Sequence, residues 1–164
     1  MGLIRNHYVG RTFIKPDQTI RDESVYQKFN PLPNFFKDKI VVLVDDSIVR
    51  GTTLKKIVKL VRKKGAKEIH LRIGSPPVRF SCFYGIDTPT QSELIAHQKS
   101  HQEIVDFLEV DSLMYMNMEM MQRVVPDPEN HCYACFNGDY PIKLEKEVFK
   151  NIEYKNWDFN DQVL

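Results

Sequence analysis

The chain has 164 residues, which is room for one domain with its own core at about 150 residues per domain. Hydrophobic residues make up 42% of it and charged residues 27%, a balance typical of globular proteins. No apolar run approaches the roughly 20 residues that a membrane-spanning helix needs, so the composition excludes membrane-spanning and disordered chains. The first residues carry no secretory signal, and we therefore expect a cytoplasmic protein.

The charge is unevenly distributed along the chain. The net charge is +1, yet residues 1–80 carry 17 Lys and Arg against 7 Asp and Glu, while residues 81–164 carry 6 against 15. The basic first half favours an anionic partner, either a nucleic acid or a phosphorylated small molecule. Composition by itself leaves both open.

A strand, a helix and a second strand follow one another between residues 39 and 73. The uninterrupted β-branched run in Lys39–Val44 predicts a parallel strand buried on both faces. Apolar residues at helical spacing predict an amphipathic helix over Thr53–Lys64, ended by Gly65. Alternating apolar residues predict a strand over Ile69–Ile73. This order is typical of a right-handed βαβ unit.

The rest of the chain has shorter signals. Thr90 with Glu93, and Ser100 with Glu103, have the spacing of capping boxes, which predicts two short helices. Further predicted elements are a loop with extended segments over residues 1–38, a strand over Ser112–Met116 and a helix over Glu119–Val125.

Residues 41–53, with the sequence VVLVDDSIVRGTT, hold the clearest chemical signature. Ligands of open α/β sheets bind at the carboxyl ends of strands, and this strand ends in Asp45 and Asp46 before a turn and a helix N-terminus. Backbone N–H groups from Ser47 to Thr53 and the helix dipole suit a dianionic phosphate, and Gly51 allows close approach. The paired carboxylates suit a sugar diol or a Mg²⁺ ion.

Other classes of site fit this stretch less well. A P-loop needs GxxxxGK followed by Ser or Thr, and the sequence has no such string. A response-regulator receiver also begins with paired acids, but no later strand here ends in an Asp. A merely polar strand terminus is the simplest alternative, and the GTT that follows the two acids makes it the weaker reading.

The same stretch resembles the 5-phosphoribosyl-1-pyrophosphate (PRPP) loop of type I phosphoribosyltransferases. Further strings occur in the order expected for the C-terminal part of glutamine PRPP amidotransferases, covering Gly2 to about Lys143. They are YVGRTF at 8–13, PP at 76–77, CFYGID at 82–87, ELIA at 93–96 and CYACFNGDYP at 132–141. The resemblance implies an α/β chain with an incomplete type I phosphoribosyltransferase fold.

That fold would be a mostly parallel sheet flanked by helices, followed by a C-terminal segment that contains cysteines. Residues 1–125 would form the partial transferase domain with a mobile N-terminal loop. Residues 126–164 would form a cluster-binding segment and tail. A sheet short of strands should expose an edge and apolar surface.

The resemblance also implies roles for individual residues. Asp45 and Asp46 would bind the ribose hydroxyls next to Mg²⁺, and Arg11 would close over PRPP in a mobile loop, Asn6–Gln18. Asp87 would lie near the base of a bound purine nucleotide. The 5-phosphate would be held by Ser47, Ile48, Val49, Arg50, Gly51, Thr52 and Thr53.

Three cysteines, an odd number, fit a disulfide framework poorly and suit free thiols or a metal centre. The resemblance implies that Cys82, Cys132 and Cys135 are ligands of a [4Fe–4S] cluster, with the fourth ligand lying upstream of this chain in the family. Zinc held by the three thiolates and His131 is the alternative, and so is the absence of any metal.

The activity that the resemblance implies is formation of 5-phosphoribosylamine from PRPP and glutamine-derived ammonia, in the first step of de novo purine biosynthesis. Residue 2 is Gly rather than the nucleophilic Cys of the family's glutaminase domain. We therefore expect an upstream glutaminase and transferase fragment or subunit as partner, and a homo-oligomer when the enzyme is complete. The alternative is a non-catalytic fragment or paralogue that binds PRPP or a nucleotide.

Two classes of partner are not expected. The composition argues against a membrane partner. The six basic residues between Lys55 and Lys64 lie on the polar face of the predicted helix, where a solvated surface explains them better than nucleic-acid binding.

Overall fold

The computed structural model describes residues 3–5, 29–31, 33–86, 88 and 90–142. The strands within them are β1 (Leu3–Arg5), β2 (Phe29–Pro31), β3 (Ile40–Asp45), β4 (Glu68–Ile73) and β5 (Ser112–Tyr115). The helices are α1 (Thr52–Lys63), α2 (Ile95–Gln98), α3 (His101–Leu108), α4 (Met118–Val124) and α5 (Ala134–Asn137). Three 3₁₀ turns lie at Pro33–Phe35, Gln91–Glu93 and Pro128–Asn130.

Two sheets are present in the described residues. β1 and β2 pair antiparallel with Ile4 opposite Asn30, a pairing that no turn signal in the sequence predicted. The second sheet has the order β3-β4-β5. Its three strands are parallel. Between β3 and β4, the Lys67 N–H donates to the Lys39 carbonyl at one end and the Gly74 N–H donates to the Asp45 carbonyl at the other, so these two strands run in the same direction.

Helix α1 forms where its apolar spacing predicted it. Leu54, Val58 and Val61 are buried along one face, and the lysines of the helix lie on the other. Gly65 follows with φ +89 and donates its N–H to the Arg62 carbonyl, as predicted for a residue that ends a helix. The predicted βαβ order of β3, α1 and β4 is confirmed, with boundaries moved by one residue.

The prediction that the first strand of this unit is buried on both faces is wrong. Ile40, Val42 and Val44 of β3 are 60%, 57% and 77% exposed, while Val41 and Leu43 on the other face are partly buried. β3 lies at the edge of its sheet, and none of the described residues covers this outer face. The expected exposure of apolar surface is thereby confirmed.

The two predicted capping boxes differ in outcome. Ser100 and Glu103 form one at the start of α3, since the Ser100 N–H donates to Glu103 Oε2 at 2.6 Å and the Glu103 N–H donates to Ser100 Oγ at 3.3 Å. Thr90 makes no such side-chain cap and instead precedes a 3₁₀ turn. Helix α4 begins one residue before its predicted start because Asn117 Oδ1 accepts the Met120 N–H at 2.7 Å.

The described residues fall into two compact units. The first is drawn from 1–43, 51–71 and 105–112, and the second from 44–50, 72–104 and 113–164. The first unit buries mainly aliphatic side chains, namely Leu54, Val58, Val61, Ile69, Leu71 and Leu108. The second buries a mixed aliphatic and aromatic set, namely Ile73, Phe80, Leu94, Ile95, Ile104, Leu113, Tyr115 and Tyr140.

No helix among the described residues is long and apolar enough to cross a membrane.

Candidate functional site

The carboxyl end of β3 presents two carboxylates on consecutive residues. The Asp46 N–H donates to Asp45 Oδ1 at 3.1 Å, and the Ser47 N–H donates to Asp46 Oδ1 at 2.7 Å. One oxygen of each carboxylate is thereby oriented by the backbone that follows it. A carboxylate accepts at both oxygens, so each group can still receive a hydroxyl or a cation.

The environment of Asp45 disfavours its charged form. Desolvation of its carboxyl by surrounding atoms raises the pKa of Asp45, and the charge of Asp46 acts in the same direction. The hydrogen bond from the Asp46 N–H opposes the shift. An added cation or a donating hydroxyl beside Asp45 would relieve this unfavourable charge, which is what a diol or metal site requires.

The N-terminus of α1 follows six residues later and has no side-chain cap. Gly51 occupies the N-cap position with φ 72, a left-handed conformation that favours glycine, and its carbonyl accepts the Lys55 N–H at 2.9 Å. No acidic residue lies in the first turn, where Thr52 is exposed and Thr53 partly buried. The first N–H groups of the helix are therefore not capped by an acidic side chain of the first turn. The helix dipole favours an anion at this position.

Two predicted phosphate residues have other contacts. Ile48 is 2% exposed, so its side chain belongs to the core and its backbone N–H is the group it can offer. The Arg50 guanidinium donates to Glu93 Oε2 at 2.9 Å, and this bond together with the charge of Arg50 lowers the pKa of Glu93. A single sequence gives no signal that these two residues, 43 positions apart, would meet.

The start of the segment after β4 lies against the end of β3. The Gly74 N–H donates to the Asp45 carbonyl at 2.9 Å, and a Cβ on Gly74 would meet that oxygen at 3.6 Å and the Asp46 carbonyl at 3.8 Å. Ser75, Pro76 and Pro77 that follow are buried. The predicted PP string therefore begins two residues after the glycine that contacts the end of β3.

The cysteine-containing segments are held together by backbone and aromatic contacts. The Cys135 carbonyl accepts the N–H groups of Arg79 and Phe80 at 2.9 and 3.1 Å, and the Tyr140 hydroxyl donates to the Ser81 carbonyl at 2.7 Å. Phe80, Ala134 and Tyr140 share a buried cluster. The CFYG string and the C-x-x-C pair are thus brought to the same part of the second unit.

The three thiols differ in environment. Cys82 Sγ accepts the Tyr84 N–H at 3.4 Å, and backbone N–H groups of Tyr84, Ile86 and Gly85 lower its pKa. Burial raises the pKa of Cys135 to about 11, and the charges of Cys132 and Cys82 add to this.

Among the described residues, no three His, Cys, Asp or Glu side chains are placed to hold a metal ion. All three thiols are free of disulfide bonds. The donor chemistry of three free thiols, on segments that contact each other, fits a thiolate-bound metal.

The basic face of α1 is paired with acidic residues of its own unit. Lys55 and Lys59 lie 3.7 and 3.2 Å from Glu109 Oε1, and Arg62 bonds Asp111 Oδ2 at 2.9 Å. Pairs of this kind are expected on a solvated helix surface. Three of the basic side chains on this helix are therefore engaged by acids of the same unit.

Arg11 and Asp87, the remaining predicted site residues, lie outside the described residues, and so does the predicted mobile loop Asn6–Gln18. Their assigned roles stay predictions.

Three comparisons relate the chain to known proteins. A family model described as a phosphoribosyl transferase domain matches residues 7–73. The chain is 50% identical to the chloroplastic amidophosphoribosyltransferase 2 of Arabidopsis thaliana, over 99% of this chain and 28% of that protein. It is also 50% identical to the amidophosphoribosyltransferase of Synechococcus elongatus, over 90% of this chain and 30% of that protein.

A solved structure is similar as well. It is the glutamine PRPP amidotransferase from B. subtilis complexed with ADP and GMP, with a TM-score of 0.74, 43% identity, and coverage of 90% of this chain and 33% of that chain. The chain therefore spans only 28 to 33% of the length of these relatives. The predicted fold class, an incomplete type I phosphoribosyltransferase fold, is confirmed.

Proposed function

The chain belongs to the amidophosphoribosyltransferase family, and from this membership we propose that it is the PRPP-binding part of an enzyme forming 5-phosphoribosylamine from PRPP and ammonia. The reaction would be the first step of de novo purine biosynthesis. The observation that carries the proposal is the end of β3, where two carboxylates precede, by six residues, a helix N-terminus with no side-chain cap. Acceptors for a diol and donors for a phosphate thus stand on one short stretch of chain.

The donors of this stretch are proposed to hold the 5-phosphate of PRPP. Backbone N–H groups between Ser47 and Thr53 and the hydroxyls of Thr52 and Thr53 are the donors in question. The positive end of the α1 dipole adds to their attraction for a dianion. Because Ile48 is buried and Arg50 is paired with Glu93, both would contribute through the backbone.

The acceptors are proposed to hold the ribose. Asp45 and Asp46 would each accept from a ring hydroxyl of the sugar, and they would also be the residues next to Mg²⁺. The raised pKa of Asp45 is compatible with this role, since a positive or donating partner would lower that pKa and stabilise the carboxylate. Mg²⁺ would neutralise charge on the departing pyrophosphate.

The reaction itself needs the anomeric C1–O bond to break as ammonia forms the new C1–N bond and pyrophosphate leaves. Positive charge builds on the ribose at that moment, so water has to be excluded. Arg11 is proposed to close over PRPP and to stabilise pyrophosphate. Purine nucleotides are proposed as further ligands, with Asp87 near the base.

The cysteines are proposed to hold a [4Fe–4S] cluster through Cys82, Cys132 and Cys135, with zinc as the alternative. Two observations support thiolate ligation. The three thiols lie on segments that contact each other, and the sulfur of Cys82 accepts a backbone N–H. Such a cluster would serve to fix the C-terminal segment. The free thiols are also consistent with the cytoplasmic location that we propose.

The partner is proposed to be a polypeptide carrying the glutaminase and the remaining transferase strands, with a homo-oligomer forming in the complete enzyme. Two observations support this. The chain matches at most a third of the length of the solved relative, and the outer face of β3 exposes Ile40, Val42 and Val44. An apolar strand face of this kind is normally covered by a packed element.

Calorimetric titration of the chain with PRPP and Mg²⁺ tests the proposal. Exchanging Asp45 and Asp46 together for Ala should weaken binding more than tenfold, at about 1.5 to 3 kcal/mol per charged hydrogen bond. The control exchanges two exposed acids elsewhere, Asp106 and Glu129, for Ala, with the same change in net charge. Equal affinity in both double variants would contradict the assignment.

Measuring turnover distinguishes the proposed catalytic role from that of a non-catalytic binding protein. Pyrophosphate release from PRPP and ammonia is measured for the chain alone and together with the N-terminal part of a relative. Release that needs the added part supports the proposed enzyme. PRPP binding without release in either mixture would instead favour a non-catalytic binding protein.

A further inference from the structure

We propose that Glu93 is a positioning residue, which holds the loop of residues 46–51 in the conformation required by the phosphate site through its ion pair with Arg50. The inference rests on the proposed function for its effect on ligand binding. The restraint on the loop itself does not depend on any ligand.

Three attachments fix this loop within the second unit. The Arg50 guanidinium bonds Glu93 Oε2 at 2.9 Å, and the Val49 carbonyl accepts the Ile95 N–H at 2.9 Å. The side chain of Ile48, the residue before Val49, is buried at 2% exposure. Consecutive residues of the loop are thus held by one side-chain, one backbone and one core contact.

The segment that receives these contacts is itself well fixed. Leu94, Ile95 and Ala96 are 0%, 4% and 1% exposed, and Glu93 ends a 3₁₀ turn in which its N–H donates to the Thr90 carbonyl at 2.8 Å. The backbone before Glu93 is thus held by a turn hydrogen bond, and the residues after it are held by burial. A carboxylate on such a support can restrain an arginine that stands on a loop.

The pairing also says what Arg50 does. An arginine on a phosphate loop would be expected to bind the phosphate directly. The guanidinium of Arg50 instead forms an ion pair with Glu93. The two roles predict opposite effects of removing Glu93. A freed Arg50 that acts as a ligand would strengthen anion binding, whereas an arginine that anchors the loop would leave the loop less ordered and weaken it.

The ligand-free chain provides the first test. Hydrogen exchange of the Val49, Arg50 and Gly51 amides should speed up in Glu93→Ala, with the midpoint of urea unfolding unchanged, because the pair is exposed. The matched control is Glu119→Ala, which removes the partner of Arg123, another exposed glutamate–arginine pair, in α4. The charge-swapped double variant Arg50→Glu with Glu93→Arg should restore slow exchange. Unchanged exchange in Glu93→Ala would overturn the proposal.

Titration with ribose 5-phosphate provides the second test. Glu93→Ala should weaken binding roughly two- to fivefold, as expected for loss of an exposed ion pair, and the swapped variant should recover most of it. Tighter binding in Glu93→Ala would overturn the proposal in favour of a ligand role for Arg50. If the wild-type chain fails to bind ribose 5-phosphate, the proposed function fails, and the exchange measurement still decides whether Glu93 restrains the loop.

Discussion

Arg62 and Asp111 form an ion pair of 2.9 Å that joins the last turn of α1 to the residue before β5. Asp111 Oδ2 also accepts the Ile69 N–H at 2.7 Å, at the start of β4. This backbone bond is the main cause of the lowered pKa of Asp111, and Arg62 lowers it further. One carboxylate therefore connects the end of α1 with the start of β4.

Exchanging Asp111 for Asn should lower the free energy of unfolding by about 1 kcal/mol, since a charge-assisted bond becomes a neutral one at a partly exposed site. Urea denaturation at pH 7 measures the loss. Asp106→Asn, an exposed acid of α3, is the control.

The same pair predicts a pH dependence. The pKa of Asp111 is lower in the folded than in the unfolded chain, so its stabilisation is fully present above the unfolded pKa of about 3.9. It is lost as the pH falls toward the folded value. The stability difference between wild type and Asp111→Asn should therefore shrink below about pH 4, and a constant difference down to acid unfolding would contradict this.

Gly51→Ala should weaken the binding of ribose 5-phosphate. Gly51 has φ 72, and a left-handed conformation costs a residue with a Cβ roughly 1 kcal/mol or more, so the turn before α1 would shift. Gly85→Ala is the control, because a Cβ there would meet no atom within 4 Å. Comparable binding by the two variants, measured by calorimetry, would show that the turn is not part of the phosphate site.

We expect the outer face of β3 to bind another polypeptide chain rather than to stabilise the fold of this chain. The double variant Val42→Thr with Val44→Thr should keep the wild-type unfolding free energy within about 0.5 kcal/mol, since both side chains are mainly exposed. Its self-association, or its affinity for the N-terminal part of a relative, should fall in sedimentation experiments. Val124→Thr with Ile142→Thr, also exposed, should leave association as it is.

Anaerobic reconstitution with iron and sulfide should load a cluster on the cysteines, measured by iron and sulfide content and the visible spectrum. Cys132→Ser should lose it. Joining residue 82 to residues 132 and 135 closes a loop of about 50 residues, which is worth on the order of 4 kcal/mol in chain entropy.

Two results would contradict the cluster assignment. Stoichiometric zinc without sulfide, lost in His131→Ala, would establish the zinc alternative. Three thiols that are alkylated at equal rates before and after reconstitution would mean that no metal binds.

Much of the fold follows from local patterns. The helical spacing of Leu54, Val58 and Val61 and the glycine at position 65 defined α1 within one residue, since a periodic apolar face and a left-handed end are local properties. The acids, glycine and threonines after β3 likewise gave the candidate phosphate site, because all its groups lie on one short stretch. The family resemblance rests on the order of such strings.

Other features depend on residues distant in sequence, and these only the tertiary structure decided. An uninterrupted apolar strand has the same sequence pattern whether or not another element packs on each of its faces, so only the folded arrangement showed that Val42 and Val44 are exposed. The pairing of Arg50 with Glu93 needs two segments to fold against each other, and neither residue type nor spacing encodes it. Cys82 and Cys135 differ for the same kind of reason, because in the folded chain backbone N–H groups lower the pKa of the first thiol and burial raises the pKa of the second.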